Sequence, residues 1–266
     1  KTIIQCTVDE LDINKSYKID HALVGDAKFT LQALANELDS QTGGGVKKNK
    51  ELIDEISAGK EQFMSKYRPL MESDEKPINP YRVYGDLIKI IDRNNSFVSP
   101  DSGNPRDQTS TVYEAFIPRG FMGWGNVSTL GFSLAAAMAA KLAYPRRQCV
   151  NITGEGGVGY MIGNFEALVR YNIGVTTIHI NNGGFSGYGP GFWGNGHDPY
   201  TCEVSDHSVT DMSEAVKALG YYAEHVTEPS EIIPALKRAF DENARNRPAY
   251  LEFICCQYPV FGSWAR

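Results

Sequence analysis

From about residue 96 onward, short strand-like apolar runs alternate with helical stretches, and this alternation constrains the fold more than any other feature of the chain. SFVSPD (96–101), QCVNIT (148–153), GVTTIHINN (174–182), YYAEHV (221–226) and AYLEFIC (249–255) read as strands. Between them, TLGFSLAAAMAAKLAY, NFEALVRYN, MSEAVKALG and PSEIIPALKRAFDENAR read as helices. Strands that return through helices give an α/β architecture, a parallel sheet with helices on both faces. Ligands of such sheets sit beyond the carboxyl ends of the strands. The loops after 96–101, 148–153 and 175–182 are therefore where chemistry is expected. The first of them is a Gly/Asn/Pro loop.

Upstream the pattern differs. Residues 2–7 form one strand-like run, and LVGDAKFTLQALANEL adds a second short apolar step and an amphipathic helix with leucines at 31, 34 and 38. SQTGGGVKKNK (40–50) has linker composition, a polar helix is expected over 49–72, and Pro77 and Pro80 punctuate the entry to the helix YRVYGDLIKIID. The expected division is 1–40 as the tail of one α/β domain, 41–75 as linker and helix, and 76–266 as the main domain. The abrupt opening KTIIQCTVDE leads us to expect a piece of a longer polypeptide.

A formal net charge of −6 over 266 residues offers no long-range attraction to phosphate backbones or anionic lipid, so neither nucleic acid nor membrane is expected as a partner. Any phosphate must be held locally. The five cysteines lack C-x-x-C spacing, which fits buried reduced thiols of a cytoplasmic protein.

VNITGEGGVGY (150–160) places G-x-G-x-x-G directly after a strand, the spacing of a dinucleotide-binding turn. A dinucleotide site also needs an acidic residue at the end of the next strand to hold the ribose. That strand ends in His179-Ile180-Asn181-Asn182-Gly183-Gly184, with no carboxylate. Glu155 fits a bare pyrophosphate turn badly, because its charge repels the phosphates unless a cation stands between. Hard cations take carboxylate, amide and carbonyl oxygens and complete their shell with phosphate. Glu155, Asn182 and a free carbonyl in the Gly183-Gly184 pair therefore read as a metal-diphosphate clamp.

At these residues the chain resembles the thiamine diphosphate-dependent enzymes of the acetolactate synthase and 2-oxoacid decarboxylase type. Their motif runs Gly-Asp-Gly, then a helix-strand bridge, then Asn-Asn; here Gly154-Glu155-Gly156 precedes Asn181-Asn182, with Glu155 and Asn182 standing 27 positions apart. The stretch TLGFSLAAAMAAKLAYPRRQCVNITGEG and the opening GDAKFTLQALANEL are similar to the family as well, the latter to the end of its Rossmann-like middle domain. The resemblance implies the thiamine diphosphate-binding fold, with thiamine diphosphate and Mg²⁺ as cofactors. It makes Glu155, Asn182 and the carbonyl of Gly184 metal ligands. Gly154, Gly156 and Gly157 fall in the diphosphate turn, with Gly156 and Gly157 lending amides; Gly103 and Asn104 look like the opposite cradle, and Leu130 like the apolar residue that bends the cofactor. Two departures stand out: Glu155 replaces the usual Asp, and Gly157 the usual Ser or Ala.

The same resemblance implies a lyase or transferase acting on a 2-oxo acid, acetolactate synthase-like, in a homodimer or homotetramer. The activating glutamate belongs to a pyrimidine-binding domain that lies outside these residues, in a missing N-terminal region or a partner subunit, so this chain would bind but not catalyse alone. A benzoylformate or oxalyl-CoA type decarboxylase is the nearest alternative. A nicotinamide-dependent dehydrogenase and a non-catalytic binding module are the alternatives of another class. FSGYGPGFWGNGHDPY (185–200) reads as a loop over a pocket, with Phe185, Tyr188, Phe192 and Trp193 as candidate substrate contacts. His197 and His207 are weaker candidates for proton transfer, and His179 reads as structural.

Overall fold

In the computed structural model, described for residues 1–45, 48–125, 127–184 and 210–256, the chain divides into two compact units, Lys1–Lys60 and Glu61–Arg266. In the first, strands β1 (Ile4–Thr7) and β2 (His21–Val24) pair in parallel, Ile4 opposite His21. Helix α1 (Ala27–Thr42) follows; the Asp26 side chain accepts the Lys28 and Phe29 amides at its start, and Gly43 ends it at φ +66°. Helix α2 (Lys50–Met64) and the short α3 (Arg68–Met71) stand where a single helix over 49–72 is expected. Pro69, at the second position of α3, fits only the first turn of a helix, so the chain breaks ahead of it.

The second unit carries a five-stranded parallel sheet: β3 (Ser96–Pro100), β4 (Gln148–Thr153), β5 (Thr176–Asn181), β6 (Tyr222–Val226) and β7 (Ala249–Ile254), in the order β3-β4-β5-β7-β6. Side chains alternate across the sheet. Val98, Val150, Ile152, Ile178, Ile180, Leu251 and Phe253 point into one core with residues of α4 (Pro80–Ile90) and α9 (Ile232–Ala244). Phe97, Cys149 and Tyr250 point into the other, with α6 (Phe132–Ala143), α7 (Glu155–Arg170) and α8 (Met212–Ala218). Helices thus cover both faces, as the alternation predicts.

Near the carboxyl ends this second face turns polar. Asn151, Thr153, Thr177, His179, Asn181 and Glu252 are all buried there and are hydrogen-bonded. Two expectations need correction. The Gly/Asn/Pro loop after β3 is largely helix α5 (Asn104–Val112), with Gly103 as N-cap at φ +86° and Pro105 in its first turn. Helix α7 begins at Glu155, nine residues before the expected Asn164, so the glycine-rich motif is its first turns rather than a loop. The expectation of buried thiols also holds unevenly: Cys149 and Cys255 are buried, Cys256 is partly so, and Cys6 is exposed.

Candidate functional site

A cavity of about 280 Å³ opens at the carboxyl ends of β3, β4 and β5. Its wall includes every described residue that the sequence marks for cofactor or metal: Gly103, Asn104, Leu130, Gly154, Glu155, Gly156, Gly157, Asn182 and Gly184. Phe185, Tyr188, Phe192, Trp193, His197 and His207 lie outside the described residues. Helices α5 and α7 both aim their first turns at the cavity, and neither Gly103 nor Gly154 supplies a capping side chain. First-turn N–H groups without an intrahelical partner form an anion-binding surface. Among the described residues no Lys or Arg lines this cavity.

Glu155 is the first residue of α7, and its carboxylate reaches across to the end of β5. Its Oε1 accepts the backbone N–H groups of Asn182 at 2.6 Å and Gly183 at 2.9 Å. Burial raises the Glu155 pKa above the ordinary carboxylate value, and the surrounding N–H groups oppose that rise. The Asn182 amide lies between Glu155 and Gly184. With its nitrogen inward it donates to Glu155 Oε1 at 3.2 Å and to the Gly184 carbonyl at 2.8 Å. Turned over, its oxygen takes the same place, and carboxylate, amide and carbonyl oxygens then face one point. Three acceptors so arranged repel one another unless a cation sits among them, and they are the oxygen set that hard cations favour.

Under the cavity lies a buried carboxylate that the sequence reading leaves unassigned. Asp101, 1% exposed, accepts the N–H of Ser102 at 2.8 Å, the N–H of Gly131 at 2.9 Å and the Thr153 hydroxyl at 3.0 Å. Burial raises its pKa, and these hydrogen bonds oppose the rise. A Cβ at Gly157 would stand 2.1 Å from Asp101 Oδ2 and 2.2 Å from Thr153 Oγ1, so only glycine fits there. Ser102, Pro105, Ser128 and Ile180 also line the cavity and were not anticipated. The Ser102 and Ser128 hydroxyls meet at 2.6 Å. The only sequence signal for this group is the Asp that ends the run SFVSPD.

On the other side of Glu155 a second cavity, about 210 Å³, is bounded by Val158, His179, Asn181, Gly183 and Met212 among others. His179 is fully buried, its Nδ1 is 2.6 Å from the Tyr250 hydroxyl, and burial pushes its pKa down to about 3, so the ring is neutral.

A parallel sheet with a ligand-sized cavity where α5 and α7 begin, at the carboxyl ends of adjacent strands, defines an α/β domain whose helix N-termini face a cavity. The family model for "Thiamine pyrophosphate enzyme, C-terminal TPP binding domain" matches residues 101–253, which begin just after β3 and include β4, β5, β6 and all of β7 but Ile254, and the chain belongs to that family. Among curated relatives it is 30% identical over 224 residues to the acetolactate synthase large subunit IlvG of Mycobacterium tuberculosis, covering 82% of this chain and 38% of the relative. It is 27% identical over 248 residues to a probable acetolactate synthase large subunit of Methanococcus aeolicus, covering 90% and 41%. It is 28% identical over 261 residues to a 2-hydroxyacyl-CoA lyase of Arabidopsis thaliana, covering 95% and 44%. The chain thus spans about two-fifths of the length of these relatives.

Proposed function

We propose that this chain holds the diphosphate of thiamine diphosphate through Mg²⁺ and forms that half of a lyase or transferase acting on a 2-oxo acid. The observation that carries the reading is the convergence of the Glu155 carboxylate, the Asn182 amide and the Gly184 carbonyl on one point of a wall without cationic side chains among the described residues. In this reading those three groups ligate the metal, and the amides of Gly156 and Gly157 receive diphosphate oxygens. Gly103 and Asn104 close the opposite side, and Leu130 lays an apolar side chain against the cofactor's rings. When bound, thiamine diphosphate supplies a carbon nucleophile and an electron sink for C–C cleavage or formation. The first unit serves as the tail of a middle domain, and a pyrimidine-binding domain from elsewhere in the assembly contributes the activating glutamate.

The acetolactate synthases among the relatives favour 2-oxo acid chemistry, and the Arabidopsis lyase, which matches 95% of this chain, supports C–C cleavage of a 2-hydroxyacyl thioester as the second reading. Calorimetric titration separates the cofactor classes: thiamine diphosphate is expected to bind only with Mg²⁺ present, and NAD not at all. Glu155→Ala should abolish the Mg²⁺-dependent binding and Glu155→Asp should retain it. Binding that survives Glu155→Ala would overturn the clamp.

A further inference from the structure

The cavity wall comes from the end of β5 and from three other stretches of chain: the loop from β3 into α5, the loop that carries Leu130 into α6, and the turn from β4 into α7. One side chain touches all three. Asp101 receives Ser102 from the first, Gly131 from the second and Thr153 from the third, and its Oδ2 lies against Gly157 in the first turn of α7. No ion pair engages Asp101 among the described residues, and its hydrogen-bond partners are N–H and O–H donors of the loops themselves.

We propose that Asp101 is a positioning residue: its buried carboxylate ties the three loops into one rigid cradle and thereby sets the separation between the α5 and α7 amide surfaces. The proposal rests on the diphosphate reading above. A carboxylate suits this place because it only accepts, and every neighbour donates. In either orientation an amide of the same shape would turn its NH₂ group toward the Gly131 N–H, which lies within 3.0 Å of both carboxylate oxygens, and convert that attraction into a repulsion. Gly131 adds to the constraint, since it caps α6 at φ +85° and a Cβ there would meet Met161 at 2.4 Å. The loop that carries Leu130 therefore has little freedom to follow its anchor if Asp101 changes. Groups that orient ligands from behind contribute about 10- to 100-fold to affinity when removed.

The test is Asp101→Asn in the full-length protein, with two readouts. Hydrogen exchange without ligand should quicken together at Ser102–Gly103, at Gly131 and at Gly156–Val158, while β4 and β5 stay protected. Titration with thiamine diphosphate and MgCl₂ should show a dissociation constant raised about tenfold or more at a temperature well below unfolding. A role in stability alone would lower the unfolding midpoint but leave that affinity unchanged, and this result, or exchange that quickens at Ser102 alone, would overturn the proposal. If Asp101→Asn does not fold, Thr153→Val removes one of the donors, and Gly131 exchange that stays at the unsubstituted rate in that variant overturns it equally. Failure of the unsubstituted protein to bind thiamine diphosphate would sink the functional reading alone, because the exchange measurement judges the tie among the loops without any ligand.

Discussion

At the scale of single residues, two glycines of one motif have opposite characters. Gly157 sits against Asp101 and Thr153, where an added methyl would overlap both oxygens. Gly159, two positions on in the same helix, has nothing within 4 Å of where its Cβ would stand. Gly157→Ala should destabilise the protein by about 1–3 kcal/mol through overpacking. Gly159→Ala should stabilise it by about 0.5–1 kcal/mol, because alanine loses less backbone freedom inside a helix. Urea unfolding of the two variants checks both signs. The sequence shows the glycines and their spacing to Asn182 openly, and so the residues that line the cavity as the proposed clamp are legible. Asp101 is not, because a strand-ending aspartate looks the same whether it meets water or three loops.

At the scale of elements, α6 lies on β3 and β4 with Ala137 and Ala140 buried, while Ala135 and Ala139 face outward. Small side chains on the inner face let the helix approach the sheet closely. Ala137→Leu should cost about 1–3 kcal/mol and Ala135→Leu almost nothing, read as unfolding midpoints. The pair β5 and β7 carries a pH signal through His179, whose folded pKa is pushed from 6.5 to about 3. The unfolded chain then binds the extra proton, so stability falls as pH drops through the window between those values, by up to about 1.4 kcal/mol per unit. The raised pKa values of Asp101 and Glu155 give slopes of the opposite sign. Comparison of the protein with His179→Gln between pH 4 and 6.5 cancels those slopes, and the variant should lose less stability on acidification. Strand positions were legible at this scale because apolar runs between helices have one economical arrangement. The starts of α5 and α7 were not, since Gly and Pro mark loops and first helical turns alike, and only the tertiary setting of Gly103 and Gly154 decides between them.

At the scale of the whole molecule, the two units differ in how well they cover themselves. The second has a core on each face of its sheet. In the first, Phe29, Leu31, Leu34 and Leu38 of α1 are each more than half exposed. Among the described residues no helix is long and apolar enough to cross a membrane. With the net charge of −6 spread over the chain, nothing at long range draws an anion toward the cavity, and capture depends on its wall. That wall has no cationic side chain among its described residues. In the proposed clamp, ion and cofactor are thermodynamically linked: whatever factor Mg²⁺ adds to the cofactor's affinity, the cofactor returns to the ion. Removal of either is then expected to weaken the other, and dialysis against a chelator should release both together. Parallel release curves for metal and vitamin would display that reciprocity.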